Sequence, residues 1–222
     1  MAHRAVRPPL AVRPLLAVRP LLAAAPLAVV LVAAALTGCG PAARTPAPPA
    51  DAAPPAVTPT AAPAAPAPAA TPLPASAPVR VRIPAAGVDA SPLPELGLAA
   101  DGTVEVPSVA DGDKIGWYGK GVTPGETGPA VLIGHFDTVR GPAVLKDVSR
   151  VRTGDEITVS RADGSTAVFR VRELEQVDKK RFPTDKVYGD TERPELRVIT
   201  CGGRITDGHR ADNIILYADL VG

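Results

Sequence analysis

Residue types able to do covalent chemistry are scarce in this chain. Of its 222 residues two are cysteines and three are histidines. Cys201 ends the alternating run "ELRVITC" (195–201) and is followed at once by Gly202 and Gly203. His135 ends a second such run, "AVLIGH" (130–135). A free thiol ionises only near pH ~8.5, so a reactive one needs a base or a cation beside it. A cysteine and a histidine at the ends of two neighbouring strands meet that need, and the pair suits nucleophilic acyl transfer. The competing reading of His135 is an imidazole bonded to backbone at a strand end. Arg210, in "GHRADN" (208–213) before the last apolar run, could stabilise an oxyanion through donors that never lose their charge. Its competing reading is a solvated surface arginine, and Arg204 is a rival for the same role. His209 could compete with His135 as base, and Asp137 could orient the imidazole. Trp117 and Tyr118 fit packing at a strand end.

The elements that must hold these groups are short. Besides the two runs above, "VRVRIP" (79–84), "GTVEVP" (102–107), "DEITVSRADGSTAVFRVREL" (155–174) and "NIILYADL" (213–220) carry period-two or β-branched character, and Gly, Pro and Asp turns divide them. Ala162-Asp163-Gly164-Ser165 predicts a hairpin turn. No long 3.6-residue period is present; 141–151 and 182–189 each allow a short helical turn. The pattern predicts one all-β sandwich or barrel over residues 79–222. With period two, Arg197, Ile199 and Cys201 share one face of their strand, and Leu196, Val198 and Thr200 share the other.

The N-terminal third differs. Arginines at 4, 7, 13 and 19 precede an aliphatic stretch from Leu21 to Leu36, the arrangement of a secretory signal. Leu36-Thr37-Gly38-Cys39 resembles the bacterial lipobox, which implies that Cys39 is lipidated. The alternative is an uncleaved anchor helix, disfavoured because the stretch falls short of the ~20 residues a span needs and contains Pro26. Residues 1–39 are therefore expected to attach the protein to the outer face of the membrane. Residues 40–78, nearly all Ala, Pro and Thr, predict a disordered tether. A Cys39–Cys201 disulfide is disfavoured across such a spacer. A net charge of +1 argues against nucleic-acid partners.

"VLIGHFDT", "GPAVLKDVSRVRTGDEITVSRADG" and "LRVITCGG", with an arginine before the final strand, resemble a sortase, and most nearly class F of high-GC Gram-positive bacteria. Ile199-Thr200-Cys201 matches the family's "TLxTC" signature, and Gly134-His135 is the second anchor. The resemblance spans roughly residues 79 to 222. It implies a closed eight-stranded β-barrel and a cysteine transpeptidase. The chain lacks the acidic cluster with which some class A members bind calcium, so no metal is expected, nor is a cofactor. A monomeric enzyme is expected. Its substrates would be LPxTG-like sorting signals of surface proteins, cut between Thr and Gly. Cys201 would form a thioester, His135 would shuttle the proton, and Arg210 would hold the carbonyl oxygen. A peptidoglycan amine would then accept the acyl group. Class F relatives show aromatic-Arg-Asp-Asn here, whereas this chain has His209-Arg210-Ala211-Asp212-Asn213. A one-place shift turns a strand residue to the other face, while slack in a loop would restore its reach. Arg210 is preferred to Arg204 because it lies at the strand entrance.

Two alternatives remain. One is a non-catalytic surface lipoprotein that uses the same barrel to bind peptide or wall. The other is an L,D-transpeptidase, disfavoured because Thr200-Cys201-Gly202-Gly203 lacks that family's Ser-x-Gly-Cys.

Overall fold

Short β-branched runs cannot bury themselves alone, and here they pair into one large sheet. The computed structural model describes residues 70–91 and 93–222. Cys39, the signal-like segment and most of the Pro/Ala-rich stretch lie outside the described residues. The strands are β1 (Pro78–Ile83), β2 (Val88–Ala90), β3 (Glu95–Leu96), β4 (Ile115–Tyr118), β5 (Gly128–Gly134), β6 (Asp137–Thr138), β7 (Gly141–Pro142), β8 (Glu156–Arg161), β9 (Thr166–Asp178), β10 (Pro194–Thr206) and β11 (His209–Leu220). One short helix, α1 (Thr184–Tyr188), and four 3₁₀ turns complete the described residues.

Nine strands form a curled sheet in the order β2-β1-β8-β9-β11-β10-β5-β4-β3, and β6 and β7 form a separate ribbon. Among the described residues no ladder joins β2 to β3. The all-β expectation therefore holds; the sheet has one more strand than the eight expected, and no pairing among the described residues closes it. The hairpin at 162–165 forms as its turn residues predict: Gly164 has φ +84° and its N–H donates to the Arg161 carbonyl at 3.0 Å.

The central strands are apolar on both faces because both faces are covered. Leu132, Leu196, Val198, Ile214 and Leu216 join Phe169, Ile157 and Ile83 in the larger cluster. Their alternates Val131, Ile133, Ile199, Ile215 and Tyr217 pack with Val187 of α1 in a second. "GTVEVP" departs from expectation. It has no ladder partner beyond the single bridge Leu98–Val104, and Val104 and Val106 instead line a groove. Packing also begins earlier than residue 79: Leu73 lies against the larger cluster, and its N–H donates to the Gly125 carbonyl at 2.8 Å.

Glu195 and Asp219 sit directly opposite in the β10–β11 register, where like charges destabilise a sheet. Arginines resolve the conflict. Arg172 binds both carboxylates, Arg193 reaches Glu195 at 3.1 Å, and Arg197, 2 % exposed, reaches it at 2.6 Å. Burial favours the neutral acid at Glu195, but hydrogen bonds and charges from Arg172 and Arg197 outweigh it and hold the carboxyl below its ordinary value. With the folded pKa depressed, the group's stabilisation is present above the unfolded value of ~4.3 and fades as pH falls below it. Glu195→Ala strands Arg197 without its carboxylate, and the expected cost is about 3–5 kcal/mol at pH 7. Thermal unfolding at pH 7 and at pH 3 tests this: the wild-type-to-mutant gap should narrow at the lower pH.

Candidate active site

Cys201 lies on β10 where burial gives way to solvent. Residues Pro194 to Thr200 are buried, Cys201 is half-buried, and Arg204 to Thr206 are exposed. The two glycines explain its position. A Cβ at Gly202 would stand 2.6 Å from Ile214, and one at Gly203 would stand 2.4 Å from the Asp212 carboxylate. Gly203 also has φ +73°, a region that side chains avoid. The pairing shifts between Gly202 and Ile205, so the chain bulges immediately after the thiol.

β5 and β10 are parallel neighbours with Ile133 opposite Ile199. His135 and Cys201 are each two residues beyond that pair; His135 follows the end of β5, whereas Cys201 does not end its strand as expected but lies within β10, paired with Asn213. The imidazole Nε2 lies 2.7 Å from the Pro107 carbonyl. A carbonyl only accepts, so Nε2 carries hydrogen and Nδ1 is the nitrogen left to exchange a proton.

Arg210 has a different environment from the one expected of an oxyanion donor. Its Nε lies 3.0 and 2.9 Å from the two Asp137 oxygens, its Nη2 donates to the same carboxylate at 2.5 Å, and its Nη1 donates to the Gly203 carbonyl at 2.7 Å. The guanidinium also lies over Phe136, 4.5 Å from the ring centre. The register accounts for this. Cys201 pairs with Asn213, and Arg210 is three residues from Asn213, an odd number that turns it to the other face. Its neighbours there line a small cavity of about 330 Å³ with Asp137 and Lys146. Arg210 thus braces the chain just past Cys201 against the chain just past His135. Arg204 and His209 are exposed on the outer part of the β10–β11 hairpin.

The cation found at the sulfur is Lys179, whose Nζ lies 3.5 Å from Cys201 Sγ. Sequence reasoning missed it. It follows β9 in a basic 3₁₀ turn, Lys179–Arg181, and reaches the thiol only because β11 lies between β9 and β10, with Val177 opposite Asn213 and Asn213 opposite Cys201. No local signal marks that relation.

A groove of about 1340 Å³ runs along this face, lined by Leu98, Val104, Val106, Ile199, Asn213 and Lys179 among others. Ile199 and Asn213 place its end beside Cys201. A mostly apolar trough that reaches Lys179, and Ile199 and Asn213 beside the thiol, suits an extended peptide held for attack at one carbonyl. Among the described residues no group of three or more His, Cys, Asp or Glu side chains could hold a metal.

Comparisons with known proteins agree with this architecture. The family model for the sortase domain matches residues 81–221. No curated protein sequence matches the chain. Among solved structures, a lid mutant of sortase A from Corynebacterium diphtheriae is similar, with a TM-score of 0.50 and 16% identity over 65% of this chain and 70% of that one. The Sortase D5 transpeptidase of Clostridium perfringens has a TM-score of 0.49 and 21% identity over 66% of this chain and 79% of its own. Sortase C-1 from Actinomyces oris has a TM-score of 0.49 and 21% identity over 65% and 75%. The domain match covers well over half of the residues, and this chain belongs to the sortase family of cysteine transpeptidases.

Proposed function

We propose that this protein is a cell-surface sortase, class F-like in its motifs, that cleaves LPxTG-like sorting signals between Thr and Gly. The acyl group then passes to a peptidoglycan amine. The observation that carries the reading is that Cys201 and His135 each stand two residues beyond the parallel pair Ile199–Ile133, next to a groove lined in part by Ile199 and Asn213. The Cys201 thiol gives its proton to His135 Nδ1 as the sulfur attacks the threonyl carbonyl, and the carbonyl pair moves onto oxygen. When that pair returns, the C–N bond breaks and the glycyl amine leaves with a proton from His135 Nδ1. The incoming amine gives its proton to the same nitrogen as it displaces the thioester, and that proton returns to the departing Cys201 sulfur. Arg210 holds the two catalytic strand ends together rather than touching the oxygen. The N-terminal segment, through acylated Cys39 or as an anchor helix, would keep the domain at the outer membrane surface.

The engagement of all three Arg210 guanidinium nitrogens by protein acceptors is what the alternative, a peptide-binding surface lipoprotein without catalysis, would draw on. Incubation with LPxTG and LAxTG peptides and hydroxylamine separates the two. Threonyl hydroxamate, identified by mass spectrometry, is the expected product. Intact peptide, or a cut elsewhere, would overturn the proposal.

A further inference from the structure

We propose that Lys179 is a catalytic residue of this transpeptidase and supplies the positive charge that stabilises the oxyanion formed at Cys201. The inference rests on the transpeptidase reading above and adds a residue to it. Three observations converge. Lys179 Nζ is 3.5 Å from the sulfur that attacks. Among the described residues its ammonium forms no ion pair, whereas Arg210 is committed to Asp137 and Gly203. Lys179 also lines the groove together with Ile199 and Asn213, so it faces the space a substrate carbonyl would enter.

The chemistry follows from that placement. When Sγ bonds to the carbonyl carbon, the π pair moves to oxygen, and that oxygen lies one bond beyond the carbon under attack. A donor already in contact with the sulfur reaches it by rotation of its own flexible four-carbon stem. The ammonium donates a hydrogen bond to the oxyanion without giving up its proton. Donation ends when the pair returns and the amine leaves with its proton from His135. Lys180, next in the chain, has the same charge, and its backbone N–H donates to the Asp178 carboxylate at 2.7 Å. It has no recorded contact with the sulfur and provides a charge-matched control.

The test uses the full chain and two reagents that alkylate the same thiolate, anionic iodoacetate and neutral iodoacetamide, with the adduct at Cys201 measured by peptide mass spectrometry. The ratio of the two rates cancels the thiolate fraction and reads local charge alone. Lys179→Met should lower the iodoacetate-to-iodoacetamide ratio about threefold, the scale of one exposed charge pair, and Lys180→Met should leave it unchanged. In peptide cleavage Lys179→Met should lose about 10²-fold in kcat with little change in KM, as when an oxyanion donor is removed, and Lys179→Arg should recover part of the loss. An unchanged ratio, or a kcat within twofold of wild type, overturns the proposal. A wild type that cleaves no sorting-signal peptide while the ratio still falls overturns the transpeptidase reading and the catalytic role with it, leaving only the contact.

Discussion

Cys201→Ala is expected to reduce sorting-signal cleavage below about one part in 10⁴ of wild type while leaving the fold intact. Losing a covalent nucleophile removes the whole two-step route, so remaining groups cannot compensate through binding alone. The fold should survive because Cys201 is half-buried and opposes Asn213 at the strand's exposed end. The packed residues Ile199 and Thr200 precede it and are untouched. An unchanged melting temperature beside absent turnover is the expected pair of measurements. Activity in the variant equal to wild type would remove Cys201 from the mechanism. Cys201→Ser should be inactive in cleavage as well, because a hydroxyl is far less ionised than a thiol and the site is arranged around sulfur.

His135→Ala should cost about 10³-fold in kcat, within the range of a lost general acid–base group. In the proposed mechanism the ring has two separable jobs. Nε2 donates to the Pro107 carbonyl at 2.7 Å, which ties the start of the β5–β6 connection to the segment before β4. Nδ1 is left to move the proton. His135→Gln retains an amide N–H able to meet Pro107 but has no nitrogen that can take and return a proton. If the imidazole is the acid and base, both variants fall by the same amount. Recovery of turnover in the glutamine variant would mean that His135 acts only as a strut. Iodoacetamide labelling of Cys201 in each variant checks that the thiol is still present and accessible.

Much of the site was legible because its residues close strongly patterned runs. "AVLIG" is apolar throughout and "ELRVITC" interleaves apolar residues with the buried Glu195, Arg197 and Thr200, because β5 and β10 lie mid-sheet with clusters on both sides. His135 directly follows β5, whereas Cys201 stands where β10 turns from buried to exposed and bulges, and the strand continues to Thr206. The paired glycines after Cys201 were equally visible, and contacts with Ile214 and Asp212 now account for them. "GTVEVP" had the same alternation and forms no strand, since alternation records sidedness and says nothing of a hydrogen-bonding partner. The short strands β2, β3 and β4 gave too few residues for a period to register.

Chain order and local pattern alone determined the all-β class, the patterned runs that carry the thiol and the imidazole, and the family they resemble. Only the tertiary structure decided which cation meets the sulfur. Arg210 and Lys179 are 9 and 22 positions from Cys201 in sequence, yet the nearer one faces away and the more distant one makes the contact. Facing depends on strand register: one residue of offset on β11 turns Arg210 to Asp137, while two pairings across β9, β11 and β10 carry Lys179 to the thiol. Register is set by packing over the whole sheet, so no short stretch of sequence contains it.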